Sequence, residues 1–359
     1  MEKLMQKIFS IVLNSILFLL KKLDFYSPKD LKKSNKESKK LQKEFIMQYY
    51  LDENGRVKRS LTIDRNCPIC EGNNSSVFFE SFDGFRYVSC ENCGMIYTTR
   101  YLIPDEYVKF QDRLEISEES WVNKRTFESD KKRFLKYIKF IKKYKKKGNL
   151  LDIGCYNGNF LEIANSSGYS VMGVEIHTKK ASIAIKKGFN VIIGDIEKCV
   201  INQKFDIITM WEALEHTNNP NLVIEKIKDL LNPAGLFIFT VPNGSSINGR
   251  ILTGHKMDFT GFGHKNLFTP SAVKYALKKN EFSILELFTL GNYLESEDIN
   301  DYLLGNFSYT SSFHNWDHIK KHTSSSLSKG LLLLNLLLLE STIKRYNLGN
   351  ILFVIAKKE

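Results

Sequence analysis

The sequence predicts an α/β protein built on a parallel sheet, with a small cysteine-stapled module in front of it. Three observations carry this expectation. From about residue 150 onward, short apolar runs alternate with helix-period segments. Four of the six cysteines fall in two CxxC pairs, Cys67/Cys70 and Cys90/Cys93. A glycine-bearing turn, Gly154 to Gly158, joins the first of the apolar runs to the first helical segment. A chain of 359 residues has room for two or three domains. Its 43% hydrophobic and 26% charged content is that of an ordinary soluble globular protein.

The apolar runs are Leu150–Ile153, Val171–Val174, Val191–Ile193, Phe205–Met210 and Leu236–Val241. Helical patterns lie between them at Phe160–Ser166, Thr178–Lys187 and Leu222–Leu231. A βαβα order implies parallel strands with helices on both faces. Phe282–Leu290 reads as a sixth strand, and Ile351–Ala356, continuously apolar, as a buried last one. Before the first run, Phe134, Ile138 and Ile141 recur at helical spacing among lysines, so the basic residues there form a solvated face.

Two CxxC pairs supply four thiolates, the ligand set of a tetrahedral structural Zn²⁺ site. Between the pairs, Val77–Phe82 and Phe85–Ser89 flank Asp83-Gly84, a hairpin signal that brings the second knuckle back beside the first. The expected module is a zinc ribbon with Cys67, Cys70, Cys90 and Cys93 as ligands. Six cysteines so arranged do not form a secreted disulfide framework.

The turn after the first strand reads Asp152-Ile153-Gly154-Cys155-Tyr156-Asn157-Gly158-Asn159. Strand, glycine turn and helix let backbone N–H groups approach a ligand. A dinucleotide fingerprint needs glycine also at 156 and 159, where Tyr156 and Asn159 stand, so NAD or FAD fits poorly. Three carboxylates close successive strands. Asp152 can meet an ammonium group, Glu175 both hydroxyls of a ribose, and Asp195 an adenine amino group. Any one alone reads equally well as a helix cap or a solvated loop.

Together these residues resemble class I S-adenosylmethionine-dependent methyltransferases. The matching segments are LLDIGCYNGNFLEIA (150–164), VMGVEI (171–176), GDIE (194–197), FDIITMWEALEHTNNP (205–220) and LLNPAGLFIFTVPN (230–243). The resemblance implies a Rossmann-like seven-stranded sheet of order 3-2-1-4-5-7-6 with its last strand antiparallel. It implies S-adenosylmethionine held by Asp152, Gly154, Cys155, Gly158, Glu175, Ile176, Asp195 and Ile196, with Trp211 and Glu212 at the methionine end. Tyr156 stands where the family usually has a middle glycine, so its side chain must point away from the cofactor.

The segment CPIC…CENCGMIYTT is similar to the subset that joins an N-terminal zinc ribbon to this core, including sugar C-methyltransferases of nucleotide-linked deoxysugars. His264, in GFGHKNLFTP, matches that subset's histidine. Gly261 and Gly263 stand where the subset carries a Tyr and a Glu, which leaves carbon methylation open. Thr269 and Pro270 fit the N-cap and first position of the next helix. The implied domains are a basic helix and linker at 1–60, the ribbon at 61–105, and the methyltransferase domain at 115–359 with an insert at about 292–348.

A sulfonium is already an activated methyl donor, so catalysis needs in-line alignment and removal of the acceptor's proton. His264 is the first candidate base and His216 the second; a structural role at a helix end or in a loop is the plain alternative for each. The expected acceptor is a small molecule or glycan, a sugar or nucleotide sugar of bacterial surface polysaccharide biosynthesis. An RNA acceptor, suggested by the ribbon and the basic surface, lacks support from any Asn-Pro-Pro-Tyr-like motif. A non-catalytic ribbon scaffold is disfavoured by the intact acids at 152, 175 and 195.

The net charge is +12, and residues 1–60 carry 14 basic against 7 acidic side chains. Residues Ile8–Leu20 form an apolar run flanked by lysines, too short for a span and suited to lying in an anionic membrane surface or packing on the protein. The expected location is cytoplasmic, with peripheral membrane contact through this helix. The insert holds a second apolar run, Leu331–Leu339, for which packing over the fold and contact with lipid are both open.

Overall fold

A computed structural model describes residues 44–81, 83–107, 109–110, 124–246, 260–290 and 349–359. The expectations for residues 8–20, for the linker up to residue 43 and for Leu331–Leu339 lie outside the described residues. Backbone contacts divide the chain into two units, and the elements below all belong to the one formed by Phe45–Tyr293 and Ser311–Glu359.

The cysteine module, expected as a ribbon and so called, begins with β1 (Thr62–Asp64), then β2 (Ser75–Glu80), β3 (Arg86–Cys90), β4 (Ile96–Thr98) and β5 (Arg100–Leu102). β1 pairs with β5, while β2, β3 and β4 form an antiparallel meander. The Asp83-Gly84 turn does join β2 to β3, but Asp83 is fully buried rather than solvated. Its carboxylate faces the Phe262 amide at 3.4 Å, and burial raises its pKa to about 6.

Helix α1 (Lys124–Tyr144) buries Phe134, Tyr137, Ile138 and Ile141, and exposes Lys131, Lys132, Lys136, Lys139, Lys142 and Lys143. The alternation then runs β6 (Asn149–Ile153), α2 (Asn159–Ser166), β7 (Ser170–Glu175), α3 (Thr178–Lys186), β8 (Asn190–Ile193), β9 (Phe205–Trp211), α4 (Pro220–Leu230) and β10 (Leu231–Pro242). A two-residue strand β11 (Asn266–Leu267), α5 (Pro270–Lys279), β12 (Phe282–Leu290) and β13 (Ile351–Lys358) complete the described chain. β10 starts earlier than its apolar run suggests, because a bulge between Leu231 and Leu236 lets the Asn-Pro-Ala-Gly turn remain part of the strand.

These strands make one seven-stranded mixed sheet in the order β8-β7-β6-β9-β10-β13-β12. The first five are parallel, and β13 runs antiparallel between β10 and β12. This is a Rossmann-like sheet in which β13, the last strand of the chain, alone runs against the other six. Alternate side chains enter two separate cores, the pattern of a sheet covered on both faces. Phe237, Phe239, Val241, Leu352 and Val354 pack with α4 and α5 on one face. Leu236, Ile238, Phe353 and Ile355 pack with α1 and α2 on the other.

The ribbon is not a free-standing bead. Cys67, Ile69, Val88, Cys90, Cys93, Met95 and Tyr97 share one core with α4 and α5. β11, from far along the chain, adds to the edge of β4 and makes the ribbon sheet four-stranded. Thr269 caps α5 by accepting from the Ala272 amide, and its hydroxyl also donates to the Gly94 carbonyl at 2.9 Å.

Candidate active site

Asp152, Glu175 and Asp195 stand at or just beyond the carboxyl ends of β6, β7 and β8, the edge where open α/β sheets bind ligands. The turn between β6 and α2 has left-handed backbone at Gly154, Tyr156 and Gly158, with φ of 78°, 50° and 79°. A side chain at Gly154 would put its Cβ 2.9 Å from the Ala213 methyl. Tyr156 takes the left-handed conformation at a cost that glycine avoids. Its side chain is 39% exposed, with the Lys180 ammonium 4.6 Å above the ring.

Glu175 is buried and accepts from two backbone amides, Tyr156 at 2.7 Å and His177 at 2.8 Å. It therefore fixes the glycine turn as well as closing β7. Asp152 is fully buried and takes the Thr209 hydroxyl at 2.7 Å. Burial first, then the nearby charge of Glu175, raises its pKa to about 8. Asp195 accepts from the Glu197 amide at 3.0 Å, Ile196 is buried, and Ile176 is 46% exposed. Cys155 is buried behind the turn.

Trp211 ends β9 inside an aromatic cluster, 4.7 Å from Tyr137 and 5.0 Å from Phe160 between ring centroids. Glu212 follows with φ of 51°, a strained conformation for a residue with a Cβ. Its amide donates to the Thr240 carbonyl, which holds the turn against β10. A short 3-10 turn, Leu214–His216, comes next.

His216 and His264, separated in sequence, meet here with ring centroids 4.8 Å apart. His216 Nδ1 lies 2.9 Å from the Gly263 carbonyl oxygen. A carbonyl only accepts, so Nδ1 carries the proton and Nε2 presents a lone pair. Burial and the neighbouring His264 hold the His216 pKa well below its ordinary value, so this ring is neutral at neutral pH. Behind both rings lies Glu215, fully buried, with Oε1 3.8 Å from His216 Nε2 and 4.0 Å from His264 Nε2.

The ribbon supports the His264 loop from below. Tyr87 Oη donates to the His264 carbonyl at 2.7 Å, and the Thr98 amide to the Lys265 carbonyl at 3.0 Å. Arg65 spends its guanidinium donors on Thr98, Asn218 and the Lys265 carbonyl, so one side chain ties the ribbon to both histidine-bearing loops. A Cβ at Gly261 would fall 2.2 Å from the Phe85 ring, so no larger residue fits that position here.

The four ribbon thiols converge: Sγ of Cys67 and Cys93 are 3.5 Å apart, those of Cys70 and Cys90 3.4 Å, and all four lie within 4.8 Å of one another. Thiolates at about 2.3 Å from a tetrahedral Zn²⁺ stand about 3.8 Å apart, so the donor set and its spacing fit that ion. Sequence reasoning picked out these cysteines, the three strand-end acids and both histidines. It missed Glu215, which reads as one more acid of a solvated turn, and Arg65, for which no local pattern exists.

A family model described as a methyltransferase domain matches residues 127–287. A ubiquinone biosynthesis O-methyltransferase of Actinobacillus pleuropneumoniae is 34% identical over 106 residues, 26% of this chain and 45% of that protein. An uncharacterized protein of Methanocaldococcus jannaschii is 29% identical over 146 residues, 40% of this chain and 69% of its own. The crystal structure of a methyltransferase from Archaeoglobus fulgidus is similar over 68% of this chain and 98% of its own, at 22% identity and a TM-score of 0.45. The chain spans less than half the length of the curated O-methyltransferase it matches. These similarities mark residues 127–287 as a methyltransferase domain.

The raised pKa of Asp152 has a measurable consequence. An aspartate in the unfolded chain titrates near 3.9, so between about 4 and 8 the folded protein binds a proton that the unfolded chain does not. This contribution to stability is complete below about 4 and is lost as pH rises through about 8. Asp152→Asn should therefore lose less stability than the parent between pH 5 and pH 8. Urea unfolding midpoints of the cofactor-free proteins at the two pH values check this; equal losses would show that the buried carboxyl does not titrate there.

Proposed function

We propose that the chain transfers a methyl group from S-adenosylmethionine to a sugar or nucleotide-sugar acceptor in bacterial surface polysaccharide biosynthesis. One observation carries the catalytic part of this reading. A glycine turn braced by Glu175 lies at the same sheet edge as a pair of imidazoles brought together from two distant segments. The acceptor rests on the resemblance of the ribbon-plus-core sequence to sugar methyltransferases and on the basic surface.

In this reading Asp152, Glu175 and Asp195 receive the ammonium, ribose and adenine ends of the cofactor, and Gly154, Cys155 and Gly158 bring backbone against it. Ile176 and Ile196 flank the nucleoside, while Trp211 and Glu212 border the methionine end. The bond from sulfur to methyl carbon breaks as the acceptor's electron pair forms the new one. His264, with His216 behind it, handles the proton that the acceptor loses. Phe85 fills the space beside Gly261, so the Tyr of the sugar C-methyltransferases has no counterpart there, and a hydroxyl oxygen is the acceptor atom favoured here. The similar O-methyltransferases, named for ubiquinone biosynthesis, favour oxygen as well.

The ribbon cysteines hold a structural Zn²⁺, which closes the two knuckles and stiffens the platform beneath His264. With four thiolates it leaves no position for chemistry. Freshly purified reduced protein should carry zinc, and Cys67→Ser or Cys90→Ser should lose about one equivalent by elemental analysis. Zinc content unchanged in both variants would place the metal elsewhere.

Glu175→Ala removes the expected ribose acceptor together with the brace of the turn. Calorimetry should show S-adenosylmethionine affinity falling about tenfold or more, the worth of a hydrogen bond to a charged group. Affinity equal to the parent's would mean that the ribose is held by other groups.

His264→Ala should lower turnover by about 10²–10⁴-fold with labelled cofactor and a panel of nucleotide sugars and lipid-linked glycans. Cofactor affinity should be unaltered, because the strand-end acids stay in place. Turnover within a few-fold of the parent would pass the role to His216.

A further inference from the structure

We infer that Glu215, His216 and His264 form a second metal site, distinct from the cysteine cluster, which binds a divalent cation on the acceptor side of the sheet. The site itself stands on geometry alone; its part in catalysis rests on the methyltransferase reading above.

Glu215 is 0% exposed, and neither carboxylate oxygen has a hydrogen-bond partner. A buried carboxylate in that condition loses its solvation without return unless something positive faces it. No ammonium or guanidinium is paired with Glu215 among the described residues; the groups that face it are the two imidazoles.

The protonation pattern turns this pair into ligands. Because Nδ1 of His216 donates to the Gly263 carbonyl, its Nε2 lone pair is left on the side of Glu215 Oε1. Lone pair then faces lone pair. A proton on Glu215 does not resolve this, since 3.8 and 4.0 Å exceed the reach of an O–H···N hydrogen bond. A cation between the three atoms does. Ligand atoms of all three residues lie within 4.8 Å of one another, and bonds of about 2.0–2.2 Å to N and O need shifts of only a few tenths of an ångström. The Gly263 carbonyl orients the His216 ring as outer partners do in known metal sites.

Two histidines and one carboxylate are the donor set of open divalent sites, with remaining positions for water or substrate. The openings lie on the imidazole side, since the His216 and His264 side chains are 36% and 23% exposed while Glu215 is sealed. An acceptor offering a hydroxyl beside a second oxygen, as vicinal positions of a sugar do, would chelate there. Its hydroxyl, acidified by the cation, would release its proton to water, and the oxygen pair would take the methyl group as the sulfonium becomes a thioether. While the cation is bound, His264 acts as a ligand and the proton leaves by this route.

The probe is Mn²⁺, a poor match for the thiolate cluster and readable by electron paramagnetic resonance. Protein dialysed against metal-free buffer, its ribbon zinc counted, is titrated with Mn²⁺ and the free ion measured. About one Mn²⁺ per chain should bind, and Glu215→Gln and His264→Gln should each weaken it at least tenfold. S-adenosylmethionine binding and circular dichroism, measured on the same samples, report folding. If Glu215→Gln does not fold, His264→Gln, at a partly exposed position, decides. No binding by the parent at millimolar Mn²⁺, or parental affinity in a folded variant, overturns the site. Loss of the methyltransferase reading would look different: Mn²⁺ binding would persist while the protein failed to bind S-adenosylmethionine.

Discussion

The loop that carries His264 hangs on a strand pair two residues long. β11 joins the ribbon edge through Asn266 opposite Tyr97 and Leu267 opposite Ile96. This pairing takes up backbone groups that a loop of the catalytic domain would otherwise leave unsatisfied against a buried surface. Tyr87, Thr98 and Arg65 extend the same contact to the carbonyls of His264 and Lys265. His264 therefore owes its position to the ribbon, while His216 owes its own to β9. The two rings meet where the ribbon edge meets the turn after β9, with Arg65 tied to both.

That dependence assigns the ribbon a role beyond capping the chain. Its core is continuous with α4 and α5, and Thr269 both caps α5 and bonds to the knuckle backbone at Gly94. A shift of the knuckle would be felt at the start of α5 and in the loop before it. Lys265 illustrates how tightly this region is closed. Its ammonium is buried against Asn218 and the Tyr107 ring, and burial lowers its pKa to about 7.

The sheet was legible in the sequence because strands buried on both faces are rich in apolar residues, without a break in Ile351–Ala356 and with only Asp206 and Thr209 interrupting Phe205–Met210. The Thr269-Pro270 start of α5 was legible for a local reason as well, a cap and a fixed φ. The Asp-Gly turn located the ribbon hairpin, but not the burial of Asp83, which comes from Phe262 arriving from far along the chain. β11 was hidden, since two residues carry no period and their partner is distant. Glu215 was hidden too: an acid in a short polar turn reads as solvated, and only tertiary packing strips its water. The strand-end acids, the cysteines and the histidines could be singled out because each is set by local pattern. What they face could not.

Two of the five non-glycine residues with left-handed backbone among the described residues lie where these surfaces converge. Tyr156 and Glu212 both hold left-handed conformations that a Cβ disfavours, and each follows a strand that ends at the same sheet edge. Such conformations persist only where surrounding bonds over-determine them. Here the brace is Glu175 for Tyr156 and Thr240 for Glu212. The turn at Glu212 leads directly into Glu215 and His216, so a strained residue aims a buried carboxylate and an imidazole into one small space. On the far side Phe85 fixes the loop by leaving room only for glycine at 261. A carboxylate faces His264 even though its own loop carries glycine at 263: Glu215 supplies it from the turn after β9, across the gap rather than along the chain.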